Sequence, residues 1–129
     1  MKVIKVRVEK NSTGEYWGNT INSEVIVSAC GANLNELKKE LQDAFDFAIE
    51  DLPNAKEFED IQFEYLMDLE SFFTMIPQIK IGKIAEKANI NASLMRQYAT
   101  GKAYASESRL RQIESSVHDL GSELLSVSF

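Results

Sequence analysis

The sequence predicts an α+β protein: a small β-β-β-α-β domain over residues 1–68, followed by an all-α domain of short helices over residues 69–129. Two observations predict it. Period-two alternation of apolar and polar residues dominates the opening segments, and helical spacing dominates from Leu69 onward. The charge divides at about the same place. Residues 1–75 hold 7 Lys/Arg and 15 Asp/Glu, a net of −8, whereas residues 76–129 hold 7 and 5, a net of +2. Such asymmetry points to an acidic module joined to a mildly basic one.

The first strand is read over Val3 to Val8, with Ile4, Val6 and Val8 on one face and Lys5 and Arg7 on the other. "NSTG", Asn11 to Gly14, is turn chemistry. "EYWGNTI" then reads as a second strand, with Gly18 marking a candidate bulge, and "EVIVSAC" as a third. Together they predict an antiparallel meander with one solvated face. Asn33 is placed to cap a helix, and Glu36 stands three positions on, close to the capping-box pattern. Leu34, Leu37, Leu41, Ala44, Phe45 and Ala48 form its apolar stripe, and the helix ends before Pro53. "IQFEYLMD", Ile61 to Asp68, is the fourth strand.

The second half reads as four helices. "LESFFTMI" is stopped by Pro77, "IGKIAEKA" and "NASLMRQYAT" follow, and Gly101 ends the latter. Ser106 caps the last helix, whose stripe is Leu110, Ile113, Val117, Leu120 and Leu124.

Composition narrows the function classes. Of 129 residues, 44% are apolar and 26% charged, as in ordinary soluble domains. No run approaches the apolar length of a membrane span, and "MKVIKVRVEK" lacks the continuous apolar core of a signal peptide. A cytoplasmic protein is therefore expected. Cys30 is the only cysteine and His118 the only histidine, so no intrachain disulfide forms and no ordinary Cys/His zinc site can be built. No cofactor is expected. No phosphate-cradling glycine loop is visible, and no Ser-His-Asp or Cys-His set can be built beyond His118. Catalysis is not expected. Cys30 and His118 read as packing or surface residues, and Tyr16 and Trp17 as sheet-packing residues or, alternatively, a partner-binding aromatic patch. The acidic stretch Glu36 to Asp60 is a solvated helix face or, alternatively, a docking surface for a basic partner.

The chemistry-bearing stretch is "INASLMRQYATGK", Ile90 to Lys102. At about 100° per residue, Ala92, Ser93, Arg96, Gln97 and Thr100 share one face roughly 140° wide, while Leu94, Met95 and Tyr98 lie opposite. Ile84, Ala85 and Ala88 can pack a short helix across it, and "NIN" supplies the turn. This is what a helix-turn-helix requires: one helix braces, and the next enters the major groove by its N-terminal part. Gln pairs bidentately with adenine and Arg with guanine. The other reading is an ordinary helical hairpin with a wet polar face.

"IAEKANINASLMRQYATGKAYAS" resembles the helix-turn-helix of Cro/repressor-type (Xre) regulators. "GANLNELKKELQDAFDFAIE" after a three-stranded meander resembles the N-terminal domain of HicB antitoxins, and "FFTMIP", "GKAYAS" and "LGSELLSVSF" resemble HicB-like regulators with a fused DNA-binding domain. The resemblance implies a partial RNase H-like sheet and a regulator of the HicB antitoxin type, an autoregulatory repressor. In active RNase H-like enzymes an Asp sits in the first strand; here that strand is "KVIKVRV". Within the motif, Ala92, Ser93 and Gln97 fall where such repressors touch bases, and Arg96, Thr100 and Lys102 fall at base or backbone contacts. Lys80, Lys83, Lys87 and Lys102 would attract phosphates. The implied partners are operator DNA, a second copy of the chain and a small basic HicA-like toxin. Two departures stand out: no "DLPGC" segment follows the second strand, and Ile81 stands where many relatives begin the bracing helix with a polar residue. The alternatives are a toxin-neutralising interaction module and an orphan regulator whose N-terminal sheet senses a ligand.

Overall fold

The structure, a computed structural model, describes residues 2–129. It is an α+β chain with a four-stranded mixed sheet and five α-helices: β1 (Lys2–Lys10), β2 (Tyr16–Thr20), β3 (Ser28–Gly31), α1 (Leu34–Ile49), β4 (Ile61–Met67), α2 (Leu69–Met75), α3 (Ile81–Lys87), α4 (Ala92–Ala99) and α5 (Glu107–Leu125). It divides into two compact units, Met1–Ser71 and Phe72–Phe129.

In the first unit the strands lie in the order β3-β2-β1-β4. The first three form the antiparallel meander, joined by a turn in which the Asn11 carboxamide oxygen accepts from the Thr13 and Glu15 N–H groups and Gly14 takes φ +89°. β4 pairs with β1 in parallel, Ile4 opposite Phe63 and Val6 opposite Tyr65. A parallel partner requires a crossover, and α1 supplies it. Asn33 caps α1, its side chain accepting from the Glu36 N–H at 2.9 Å. Leu37, Leu41 and Phe45 of α1 are fully buried, as are Ile4, Val6 and Val8 of β1. Each such side chain contributes about 1.5–3 kcal/mol through removal from water. Leu34 and Ala44 are only half-buried and Ala48 is exposed, so the helix touches the sheet along a narrower stripe than its apolar pattern.

Two local expectations change, and a third feature had no counterpart in the sequence reading. Gly18 makes no bulge; it stands in regular register between Val8 and Ala29. A Cβ there would lie 3.1 Å from Val6 Cγ1 and 3.3 Å from Leu37 Cδ1, so its small size serves helix packing. The third strand is only Ser28–Gly31, because Thr20 intercepts the preceding segment. The Thr20 hydroxyl donates to the Val25 carbonyl at 3.0 Å and accepts from the Val27 N–H at 2.9 Å, leaving Ile26 83% exposed. Third, a 3₁₀ turn at Ala55–Phe58 follows Pro53 and delivers Phe58 to the core.

Gly31 carries the closest approach. A Cβ on it would fall 2.6 Å from the Leu37 backbone nitrogen and 3.0 Å from its Cα. Backbone cannot swing aside as a side chain does, so Gly31→Ala is expected to lower stability by about 1–3 kcal/mol, read from a urea titration. An unchanged midpoint would mean that α1 does not seat on β3 this closely.

At the end of the first unit Asp68 caps α2 by accepting from the Ser71 N–H at 2.7 Å, and the helix runs on into the second unit. The buried set of the second unit is Ile84, Ala85, Ala88, Ile90, Met95, Tyr98, Ala99 and Ile113, with Phe73 and Met75 from α2. Of the α5 stripe only Ile113 is fully buried; Leu110, Val117 and Leu120 are half-buried and Leu124 is 66% exposed.

Candidate nucleic-acid interface

The candidate site is the α3–turn–α4 pair, and its turn is fixed by backbone chemistry. α3 ends in a Schellman arrangement: the Ile90 N–H donates to the Ala85 carbonyl at 2.9 Å and the Asn89 N–H to Glu86 at 3.1 Å. Asn89 sits at φ +58°, a left-handed position that asparagine tolerates better than most residues. Two residues on, the Asn91 side chain caps α4, accepting from the Ser93 N–H at 2.8 Å and the Leu94 N–H at 3.3 Å. α4 ends in the same way as α3. The Lys102 N–H donates to the Gln97 carbonyl at 2.9 Å, with Gly101 at φ +79°. The orphan groups at the turn and at both flanking helix ends are thereby satisfied within a few residues.

The turn sets which face of α4 looks outward. Met95 is fully buried, and Tyr98 and Ala99 are 8% exposed. Ser93, Arg96, Gln97 and Thr100 are exposed, with Ala92 half-buried at the helix start. Lys83 on α3 and Lys102 beyond α4 are exposed as well. Their availability differs. Among the described residues Arg96, Gln97 and Lys102 hold no side-chain hydrogen bond or ion pair, so their donors are open to a ligand. The Thr100 hydroxyl is turned inward, donating to the Arg96 carbonyl at 3.0 Å. Lys83 pairs with Glu86 at 3.6 Å in an exposed i,i+3 bridge, which costs little to open.

Lys87 departs from the expected set of phosphate attractors. Its ammonium donates to Glu123 Oε1 on α5 at 2.7 Å. That hydrogen bond, with the nearby Glu123 and Asp119 charges, holds its pKa above the ordinary lysine value although desolvation works against it. The charge is engaged, and the pair ties the bracing helix to α5. A second tie joins them: Gln112 Nε2 donates to the Ala88 carbonyl at 2.6 Å.

The chain matches no family model, no characterised protein and no solved structure.

Two residues escaped sequence reasoning. Gly82 lies under the Arg96 side chain: a Cβ there would stand 3.8 Å from Arg96 Nη2. Nothing in "IGKIA" signals this, because the neighbour comes from another helix. Tyr104, 92% exposed in the loop after Lys102, presents a ring and a hydroxyl beside the same helix end. Its signal was available, since an aromatic residue in a short polar loop has no sheet or helix to pack into.

Elsewhere the chemistry is sparse. Among the described residues no three His, Cys, Asp or Glu side chains come together as metal ligands, and no helix is long and apolar enough to cross a membrane. The Cys30 thiol is pushed above its ordinary value, by desolvation first and then by a hydrogen bond with Glu15 and neighbouring acidic charge. Because the thiolate is the nucleophile, these surroundings disfavour reactivity.

Proposed function

We propose that this chain is a DNA-binding transcriptional regulator of HicB antitoxin type, an autoregulatory repressor acting from the cytoplasm as a homodimer. One observation carries the reading: Arg96 and Gln97 stand exposed and unpaired on the α4 face opposite Met95 and Tyr98, with Ser93 one turn earlier. Those are the side chains that discriminate base edges, at the part of a second helix that enters a major groove. Lys102, Lys80 and, once its exposed bridge to Glu86 opens, Lys83 supply phosphate attraction, and Ala92 a methyl contact. On this reading the first unit is an RNase H-like sheet without the carboxylate of its active counterparts, since outward positions on β1 carry Lys5 and Arg7. Its acidic surface suits a small basic HicA-like toxin. The open concavity formed by Arg7, Val8, Glu9, Leu66, Met67 and Asp68 offers about 190 Å³, below the roughly 300–1,000 Å³ of small-molecule sites, so it lends no support to the ligand-sensor alternative.

Selection of bound DNA from a random pool, followed by titration of variants on the recovered site, tests the proposal. Gln97→Ala is expected to leave the melting temperature nearly unchanged, because Gln97 is exposed, while losing about 1–3 kcal/mol of discrimination at one base pair. Lys102→Ala is expected to weaken all sequences alike and to reduce the log–log salt slope by about 0.9. Failure of the intact chain to bind DNA even at low salt would remove the regulator reading altogether.

A further inference from the structure

The sheet of the first unit is unevenly finished. Its β3 edge is four residues long, while its β4 edge runs seven residues without proline. The Lys2 N–H donates to the Asp60 carbonyl at 3.0 Å. In a parallel ladder this turns the backbone groups of residues 60, 62, 64 and 66 toward β1 and those of Ile61, Phe63, Tyr65 and Met67 away from it. The other side of β1 agrees, since the Lys5 carbonyl accepts from the Ile21 N–H toward β2. Among the described residues, the outward groups of β4 make no hydrogen bond with any other backbone or side chain. The same four residues carry half-buried side chains on the α1 face, where Phe63 meets Phe45 and Lys38 lies over the Tyr65 ring without burying them fully. A long strand with free backbone groups and a half-covered apolar strip is a template for another strand.

Charge and register decide which strand fits. A second copy of β4, added antiparallel about a two-fold axis, must keep its odd-numbered side chains on the α1 face, so the axis passes through a residue. Centred on Glu64, the pairing sets Glu64 against its own copy, at the close spacing of a non-hydrogen-bonded pair, and like charges there repel. Centred on Tyr65, it sets the Glu64 carboxylate against apolar Leu66. Centred on Phe63, it sets Phe63 against Phe63, Ile61 against Tyr65, and Gln62 against Glu64, whose carboxylate can accept from the Gln62 amide. Of the three, only this last register gives the Glu64 carboxylate a hydrogen-bond donor; the Asp60–Leu66 pair that it also makes falls at the end of the ladder, where Asp60 lies outside β4. We infer that the β4 edge is a self-association surface, on which a second copy of this chain pairs antiparallel through Phe63. The inference stands on the sheet alone and does not rest on DNA binding.

Sedimentation of the full-length chain over a concentration series tests it, with melting curves to confirm that each variant is folded. The wild-type chain is expected to associate reversibly. Gln62→Glu brings two pairs of carboxylates face to face across the axis and is expected to weaken association about fivefold. Adding Glu64→Lys to it creates two opposite-charge pairs and is expected to restore association to at least the wild-type level. In the Tyr65 register Gln62 would face Asp68, and the double variant would show no restoration. A chain that stays monomeric at the highest soluble concentration overturns the inference. So does association that ignores Gln62→Glu, or a double variant that remains weak. A titration of the same variants on DNA reports separately on the regulator reading.

Discussion

Replacing Phe45 by alanine is expected to destabilise the first unit by about 3–5 kcal/mol, a large part of what a small domain possesses. Phe45 is fully buried, and its ring meets Phe58 edge-on at 5.8 Å and Phe63 at 5.2 Å. Those three rings come from the crossover helix, the 3₁₀ turn and the edge strand. The truncation therefore opens a void where three separate chain segments converge, and none can close it without leaving its own element. Trp17, the only tryptophan, lies on β2 and reports this unit by fluorescence during a urea titration. A midpoint within experimental error of wild type would mean that the aromatic cluster does not hold the sheet to its helix.

Tyr98→Ala is expected to cost a comparable amount, about 3–5 kcal/mol, and to act on the second unit. The ring is 8% exposed and lies on the α4 face opposite Gln97, so its loss removes the support that aims the outward face. The variant should lose helical ellipticity at lower temperature and, on the proposed regulator reading, lose DNA binding at the temperature where the helices melt. The contrast with Gln97→Ala is the informative part. One change subtracts a contact and spares the fold; the other subtracts the fold and with it every contact. Loss of DNA binding by Tyr98→Ala with an unshifted melting curve would contradict its placement in the core.

Much of this architecture was legible because it rests on local periodicity. The alternation of Ile4, Val6 and Val8, the Asn33 cap with its Leu37–Leu41–Phe45 stripe, and the Asn91 cap followed by Met95 and Tyr98 are each written within one or two turns of chain. What was not legible depends on partners remote in sequence. The alternation in "IQFEYLM" marks a strand but says nothing of which edge receives it, and its parallel pairing with β1 follows from the crossover. "EVIVSAC" has the composition of a full strand, yet one threonine hydroxyl from β2 takes over its first half. In the candidate interface, exposure of Ser93, Arg96 and Gln97 follows from helical period alone. The engagement of Lys87 with Glu123 does not, because α5 lies a long way down the chain. Thr100 shows the reverse limit: its hydroxyl is satisfied by its own helix, a competition short enough to have been foreseen.

The parallel pairing of β1 with β4 also bears on how the chain acquires its structure. Ile4 cannot find Phe63, nor Val6 find Tyr65, until the whole of α1 and the 3₁₀ turn have been synthesised. The loop that must close is long, and its entropy is lost before the non-local contacts compensate. The helical unit has no such wait: its turn, caps and helix ends are made by neighbours, so it belongs to the fast-forming topologies although it is synthesised after the sheet. For an interval during synthesis the first strand is complete but unmatched on the side β4 will occupy. That strand carries Lys2, Lys5, Arg7 and Lys10 against the single acid Glu9, and this excess of positive charge opposes its pairing with a second nascent copy until the proper neighbour arrives.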